Sequence, residues 1–570
     1  MFLKKVKGYK GRVYLQIVRG FRNEAGKTSH EVVKSLGYVD DLEQEFPDPI
    51  AHFTKVAKAM TNNEERDKAI KLDTYKTLTA GASSLRNAGY LALKPLVEAL
   101  RLEQIGDALG QKHQTRAKIA EILGFLVYSQ ILNPGSKQSA YLKKNQFFEN
   151  YQFSEEQMYR VLSTLGASHE TIKDHIYRQL ADKFNLDTSV TFYDGTNFYF
   201  EIDAETNFQK KGPSKEKRVE PLVSVGLLLD KNHIPLDYKV YPGNEHERPH
   251  FGKLINELKA KNKISGRTIY VADKGLNCGN NIFEAVKNGN GYIYSQTVKG
   301  ASDVIKKYII NEYGFENVFN EYGELIYRIK GFVDDRARIS FDYNGERKSV
   351  ETKQLQVVTW SRKYAEKAAY ERAKLIRKAK GAIHSPKAYN REILGKAANF
   401  VKNIMFDTKG EIIEGKVQIV LDEKKIMEDA IYDGYYLIVT SELDMEPREV
   451  LKNYRRLSQN EESFRVSKHF LKLRPVYLHR EERIKAHVLV SYLALLIIRL
   501  FEQKVVASKY SFQEIIESIR EYECAMIQPN TYFFFKYIPM LVSLAEQTSG
   551  NALLEVQTLS QIKNLFKYSV

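Results

Sequence analysis

Five short apolar runs between residues 189 and 296 constrain this chain more than any other feature. Ser189-Val-Thr-Phe-Tyr-Asp194, Leu222-Val-Ser-Val-Gly-Leu-Leu-Leu-Asp230 and His233-Ile-Pro-Leu-Asp-Tyr-Lys-Val-Tyr241 are rich in β-branched and aromatic residues and are separated by turn residues such as Asp230-Lys-Asn. They predict three antiparallel strands. Helical spacing over Phe251 to Leu258 follows, then a strand at Arg267-Thr-Ile-Tyr-Val-Ala-Asp273, a helix near Asn281 to Lys287, and a strand at Gly291-Tyr-Ile-Tyr-Ser-Gln296. Strands in succession, then strands alternating with helices, predict an α/β layer fold.

The flanks read differently. Residues 1 to about 40 alternate as strands do and turn at Asn23-Glu-Ala-Gly-Lys, which suggests a β-hairpin module. Gly26-Lys27-Thr28 resembles the end of a P-loop, but Gly20 lies one residue too far away and Phe21 stands where Gly is needed, so the turn is the better reading. From about 56 to 185 apolar residues recur at helical spacing with Lys and Arg between them. Strands around Leu325 to Phe332 and Ile339 to Tyr343 precede a basic segment, Trp360 to Lys402. That segment holds 12 Lys or Arg against three Glu, a net of +9 out of the chain's +16. Charge so concentrated points to a polyanionic partner. A strand at Gly434 to Thr440 and a helix from Glu446 to about Leu473, stopped by Pro475, come next, and the remainder reads as helical.

Two cysteines, Cys278 and Cys524, exclude a cysteine-rich zinc module or a disulfide framework and fit a reducing cytosolic compartment. The N-terminus lacks the apolar run and cleavage site of a secretory leader. The greasiest stretch, Ala486 to Leu500, is shorter than a membrane span and contains His487, so it reads as a buried helix.

Asp194 and Asp273 each close a predicted strand, and strand ends are where α/β folds place their sites. A third carboxylate comes from Tyr454-Arg-Arg-Leu-Ser-Gln-Asn-Glu461-Glu-Ser-Phe-Arg-Val-Ser-Lys468. Tyr454, Glu461 and Lys468 are spaced by seven and seven, which on one helix returns each to the same face with a drift of about 20° per step. Three convergent carboxylates can hold two divalent cations about 3.5 to 4 Å apart and clamp an in-line phosphoryl transfer. Oxygen ligands suit Mg²⁺, with Mn²⁺ as a substitute. Tyr454 and Lys468 would flank the metals and hold phosphate oxygens or a displaced base.

These residues resemble the DDE transposases of bacterial insertion sequences, in the group marked by a Tyr–Arg–Glu–Lys signature around the catalytic Glu. The family spaces Tyr, two residues, Arg, three residues, Glu, six residues, Lys; this chain matches three of the four and has Leu457 at the Arg position. Arg455 and Arg456, on neighbouring faces, are the candidates to replace it. Glu461 and Glu462 both have the chemistry to bind metal, and the signature spacing selects Glu461. Further matches run in order from about 190 to 500: Asp194-Gly-Thr, the basic loop Lys210 to Arg218, Tyr241-Pro-Gly-Asn244, Ala272-Asp-Lys-Gly275, Asp433-Gly-Tyr-Tyr, Arg474-Pro-Val-Tyr and Glu482-Arg-Ile-Lys-Ala-His487.

The resemblance implies a ribonuclease H-like catalytic core, a mixed sheet flanked by helices, in which Asp194, Asp273 and Glu461 bind two Mg²⁺ ions. It implies an N-terminal β module over 1–55 and a helical DNA-binding domain over 56–185. The core occupies 186–300 and 431–500, interrupted by a β-rich and basic insertion over 301–430. A helical region with candidate dimer contacts, including Phe533-Phe-Phe-Lys536, fills 501–570. The implied reaction is cut-and-paste transposition, in which water nicks the element's end and the freed 3′-hydroxyl attacks a phosphodiester, with or without a hairpin intermediate. The expected partners are double-stranded DNA, both terminal inverted repeats and target, and a second copy in a homodimeric synaptic complex; no membrane is involved. Expected DNA contacts are Tyr454, Lys468, Arg455, Arg456, Lys215, Lys217, Arg218, Lys274 and Trp360, the last as a stacking platform or a buried anchor. The protein is expected in the bacterial cytoplasm, on the nucleoid. The rival reading is a catalytically silent DNA-binding protein derived from such a transposase. His246 and His250 are four apart, but Pro249 argues against a helix that would align them on zinc.

Overall fold

The computed structural model describes residues 1–8, 11–22, 28–66, 85–115, 118–202, 204–212, 219–262, 266–384, 394–405, 417–458, 462–463, 465, 471, 476–548 and 554–569. The chain divides into two compact units, Met1–Ala82 with Ile527–Pro529, and Ser83–Met526 with Asn530–Val570.

In the first unit the alternating sequence folds as a three-stranded antiparallel sheet, β1 (Phe2–Lys7), β2 (Val13–Arg22) and β3 (Thr28–Tyr38), in that order. Leu15, Ile17 and Val18 of β2 are fully buried, as is Ala57 of the helix Pro49–Arg66. The expected turn at 23–27 lies outside the described residues.

The second unit opens with β4 (Leu85–Asn87) and a set of helices that includes Ile119–Leu132, Glu155–Ala167 and His169–Lys183. Its main sheet follows: β5 (Val190–Tyr199), β6 (Leu222–Leu229), β7 (Pro235–Pro242), β8 (Ile269–Ala272) and β9 (Gly291–Gln296). The spatial order β7-β6-β5-β8-β9 has β5, β6 and β7 antiparallel and β8 and β9 parallel to β5. That order, third-second-first-fourth-fifth, with only the second strand reversed, is the ribonuclease H-like arrangement.

The region after β9 adds strands to this sheet. Strands β10 (Glu316–Phe319), β11 (Leu325–Tyr343) and β12 (Glu346–Trp360) extend the same sheet; a small pair, β13 (Val401–Met405) and β14 (Val417–Leu421), lies between them and β15 (Tyr435–Thr440). β15 joins β12 to β9, antiparallel to both, and completes nine strands. The two strands expected at 325–332 and 339–343 are one strand, β11, with a register shift between Asp334 and Ala337.

The sheet is apolar on both faces, as a layer covered on two sides requires. Phe192, Val271 and Ile293 belong to one core with the helix Glu481–Leu500, whereas Tyr193, Ala272 and Tyr294 belong to another with Phe251 and Ile282. The helix Glu481–Leu500 is long and apolar enough to cross a membrane but is buried along nearly its whole length. Its Tyr492 hydroxyl donates to the carbonyls of Pro235 (3.3 Å) and Leu236 (3.1 Å). At its N-terminal end Gly166 makes the approach possible, since a Cβ there would lie 1.6 Å from the Glu482 carbonyl oxygen.

The C-terminal stretch departs from the expected all-helical pattern. It contributes β16 (Glu523–Gln528), β17 (Thr531–Phe534) and β18 (Val556–Thr558) to a four-stranded sheet in the order β18-β17-β16-β4. Its residues 531–534 are aromatic and β-branched, which suits a half-buried pleat better than a helix. Cys278 and Cys524 are both free.

Lys137, only 5% exposed, donates to the Gln130 amide oxygen at 2.8 Å, and the Gln130 amide nitrogen donates to the Leu471 carbonyl. Burial pushes the lysine down to about 7. Between that value and the ordinary lysine range the unfolded chain binds more protons than the folded one, so stability rises with pH across that window and is flat below it. Thermal unfolding of Lys137→Met between pH 6 and 9 is expected to lose this upward slope and to exceed the parent's melting temperature at pH 6.

Candidate active site

The pairing of β5 with β8 sets the centre of the site. Val190, Thr191 and Phe192 are partnered in parallel with Ile269, Tyr270 and Val271, a register that, continued by two residues, would set Asp194 opposite Asp273 just beyond the end of β8. Neighbouring strands are about 4.8 Å apart. Strand alternation places both carboxylates on the Phe192–Val271 face, the side of the sheet covered by the helix Glu481–Leu500. Asp273 is the first residue beyond β8, as expected. Asp194 does not close its strand: β5 runs on to Tyr199 because β6 pairs along its whole length, with Gly195 opposite Gly226. Cross-strand pairing overrides the turn preference of Asp-Gly. Both carboxylates are half-buried, and each accepts from a nearby glycine: Gly195 N–H to Asp194 Oδ1 and Gly275 N–H to Asp273 Oδ1, each at 2.8 Å.

The third expected carboxylate, Glu461, lies outside the described residues, as do Lys468, Lys215, Lys217 and Arg218. The helix expected to carry Tyr454, Glu461 and Lys468 on one face is not continuous. It runs from Pro447 to Arg455 and turns at Arg456–Leu457, where Leu457 N–H bonds back to the Tyr454 carbonyl (3.0 Å), before Ser458 is helical again. Leu457 is 8% exposed and belongs to the main core, so the residue at the signature's Arg position is an apolar anchor. Glu462 is half-buried, 3.7 Å from Arg499 Nη2.

Tyr454 lies within electrostatic range of Asp273. Its hydroxyl shares a 2.7 Å hydrogen bond with that of Tyr436, and the buried Ser295 adjoins both. Burial, with lesser contributions that include the Asp273 charge, raises both phenols above their ordinary range, so Tyr454 stays a neutral hydrogen-bonding group. Tyr454→Phe is expected to cost about 1 kcal/mol of stability through that lost bond, measurable by urea unfolding. Tyr436, which sequence reasoning did not single out, sits within the flagged Asp433-Gly-Tyr-Tyr block.

Arg455 is exposed and lies over the Tyr327 ring at 4.4 Å. Arg456 is half-buried over Phe192 at 5.5 Å and donates to the Lys231 carbonyl, which ties the end of its helix to the β6–β7 turn. Lys274 is exposed at the rim of a polar cavity of about 520 Å³, whose wall also carries Arg336, Arg338, Ser295 and Gln356. Trp360 is held by protein partners: its indole N–H donates to the Asp433 carbonyl at 3.0 Å and Arg328 covers its ring at 4.6 Å. The basic segment folds as a helix, Arg362–His384, that presents Arg362, Lys363, Lys367, Lys374 and Arg377 to solvent and is anchored through Arg372 to Asp433.

Pro249 does not exclude a helix. It occupies the first turn of the helix Glu247–Asn262, where a missing N–H costs nothing. His246 precedes that helix, and His250 stacks on Tyr241 at 4.1 Å and pairs with Glu245 at 2.7 Å. Among the described residues no group of three His, Cys, Asp or Glu is arranged to hold a metal ion. Asp194 and Asp273 supply two oxygen donors of the kind that suit Mg²⁺ or Mn²⁺, and a third would have to come from the segment around Glu461.

Two family models match the sequence. One described as IS1634 family transposase, N-terminal domain, matches residues 3–71, and one described as transposase DDE domain matches residues 185–497, more than half of the chain. No protein with a curated description matches. Among solved structures, a piggyBac transposase synaptic complex with hairpin DNA is similar at 8% identity and a TM-score of 0.36, over 85% of each chain. A Mos1 transposase paired-end complex with left transposon end is similar at 10% identity and a TM-score of 0.13, over 44% of this chain and 70% of that one. At those scores neither likeness bears on the activity of this chain.

Proposed function

Because the chain belongs to the DDE transposase family, whose members generally use divalent metal ions, we propose that it binds the terminal inverted repeats of its own insertion sequence, cuts them and joins the freed 3′-ends to target DNA. The observation that supports this reading is the parallel register of β5 and β8 in a ribonuclease H-like sheet, which runs toward Asp194 on one strand and toward Asp273 just past the end of the other.

Asp194, Asp273 and Glu461 are the residues that would hold two Mg²⁺ ions. Such ions supply an activated oxygen nucleophile and stabilise charge on the phosphate in flight. The chain's own groups do the rest. The glycine N–H groups fix the two aspartates, and neutral Tyr454 is suited to donate to a phosphate oxygen and unsuited to act as a nucleophile. Lys274, Arg455, Arg456 and the exposed cations of the helix Arg362–His384 offer a track for DNA phosphates, so binding should weaken steeply with salt. Two copies would pair two ends in a synaptic complex, in the bacterial cytoplasm.

The test is a labelled duplex carrying the element's own end, incubated with Mg²⁺ and an unlabelled target. Cutting followed by joining of the 3′-end supports the proposal. Cutting without joining makes the protein a nuclease, and binding without cutting in either Mg²⁺ or Mn²⁺ makes it the silent DNA-binding relative. Glu461→Ala should abolish cutting while Glu462→Ala should still cut; the reverse result would move the metal ligand by one residue.

A further inference from the structure

The helix Glu247–Asn262 lies on the face of the sheet opposite Asp194 and Asp273, yet its first two residues touch the backbone behind both. Strand alternation turns Gly195 away from Asp194 and onto the Tyr193 face. Gly195 and Gly226 stand opposite each other there, and neither has room for a side chain: a Cβ on Gly226 would lie 1.8 Å from the Tyr193 hydroxyl, and one on Gly195 would lie 1.9 Å from Glu247 Oε1. The Glu247 carboxylate therefore backs directly onto the glycine whose N–H bonds Asp194. The neighbouring residue repeats the arrangement on the second strand. Arg248 Nε donates to the Gly275 carbonyl at 2.6 Å, and Gly275 N–H in turn bonds Asp273 Oδ1 at 2.8 Å. A Cβ on Gly275 would sit 2.9 Å from that same oxygen, so the turn is tight enough to transmit a shift.

We propose that Glu247 and Arg248 are positioning residues, each holding the glycine that orients one of the two aspartates, so that one helix turn sets the spacing of the pair from behind the sheet. The proposal rests on the metal-binding reading of Asp194 and Asp273 and extends it to residues that touch neither metal nor DNA. Groups that orient carboxylate ligands in this way typically change metal affinity by about 10- to 100-fold when removed.

The test uses the full chain and Mn²⁺ as probe, reading the Mn²⁺ concentration that gives half of the metal-induced rise in melting temperature. Arg248→Ala, at an exposed position, is expected to raise that midpoint about tenfold while the metal-free melting temperature and end binding in EDTA match the parent. Arg248→Lys, which keeps a donor, should recover part of the loss. Glu247→Ala should raise the midpoint likewise; if it also lowers the metal-free melting temperature, the Arg248 pair decides. An unchanged midpoint in Arg248→Ala, or one that rises only together with a fall in metal-free stability or end binding, overturns the proposal. Asp273→Asn separates the two levels: it should abolish the Mn²⁺ effect, and if it does not, the metal-binding reading itself fails.

Discussion

Asp194→Asn and Asp273→Asn are each expected to lower the rate of end cleavage by a factor of ~10³ or more, leaving end binding within about twofold. The size follows from the chemistry: a metal-assisted phosphoryl transfer draws several kcal/mol from charge stabilisation at the metal, and every 1.4 kcal/mol or so is a factor of ten. The selectivity follows from the structure. Asn fits the same half-buried position and can still accept from the Gly195 or Gly275 N–H, so the sheet keeps its register while the negative charge that would hold a cation is lost. Single-turnover cleavage of a labelled end, paired with a gel-shift in EDTA, reads both quantities. A variant that loses binding along with cleavage would place its aspartate in the folding of the sheet.

Arg499→Ala is expected to have the largest effect on stability, about 3 to 5 kcal/mol. Arg499 is 4% exposed on the helix Glu481–Leu500. It donates to Glu502 at 2.7 Å and to the Ser463 hydroxyl at 3.0 Å, with Glu462 at 3.7 Å. Removing the guanidinium leaves the poorly exposed Glu502 carboxylate without its cation, which costs far more than an exposed pair is worth. The same residue fastens the segment two positions after Glu461 to the central helix. Arg499→Met combined with Glu502→Leu should therefore regain most of the melting temperature, because no buried charge is stranded, but should not regain cleavage, because Ser463 has lost its tether. Recovery of both would show that Arg499 serves the fold alone.

The parts legible in the sequence were those whose signal is local. β5 to β9 and β15 are short, buried on both faces and bounded by turn residues, so composition and length alone marked them. The alignment of Asp194 with Asp273 was foreseeable once both were set on adjacent strands, although the Asp-Gly pair suggested a strand end where the chain in fact continues through Gly195. Non-local features were not legible. The long strands β11 and β12 carry many exposed polar residues; they bury where they pair toward the core sheet and, at Ala337, Ile339 and Phe341, beside the helix Gly279–Lys287, and nothing in their own text says that they extend the sheet. The break at Arg456–Leu457 comes from Leu457 turning into the core, against a helical period that otherwise runs on. Residues 523–528 and 556–558 are too short and too mixed to distinguish strand from helix without their partners, whereas the aromatic and β-branched residues 531–534 carried a strand signal that the all-helical reading passed over. Glu247 and Arg248 were hidden because Pro249 reads as a helix breaker, whereas in a first turn it is tolerated; Gly195 and Gly275 beside the two aspartates were the available signal that something packs close behind them.

Asp194, Asp273 and Glu461 are proposed to form one metal-binding centre. Crystals of the full chain grown with Mn²⁺ and its own DNA end, measured for anomalous scattering from manganese, test it most directly. Anomalous density is expected within ligand distance, about 2.1 Å, of Asp194 and Asp273, with Glu461 completing the site. Manganese bound away from the two aspartates, or held by them with Glu462 in the place of Glu461, would contradict it.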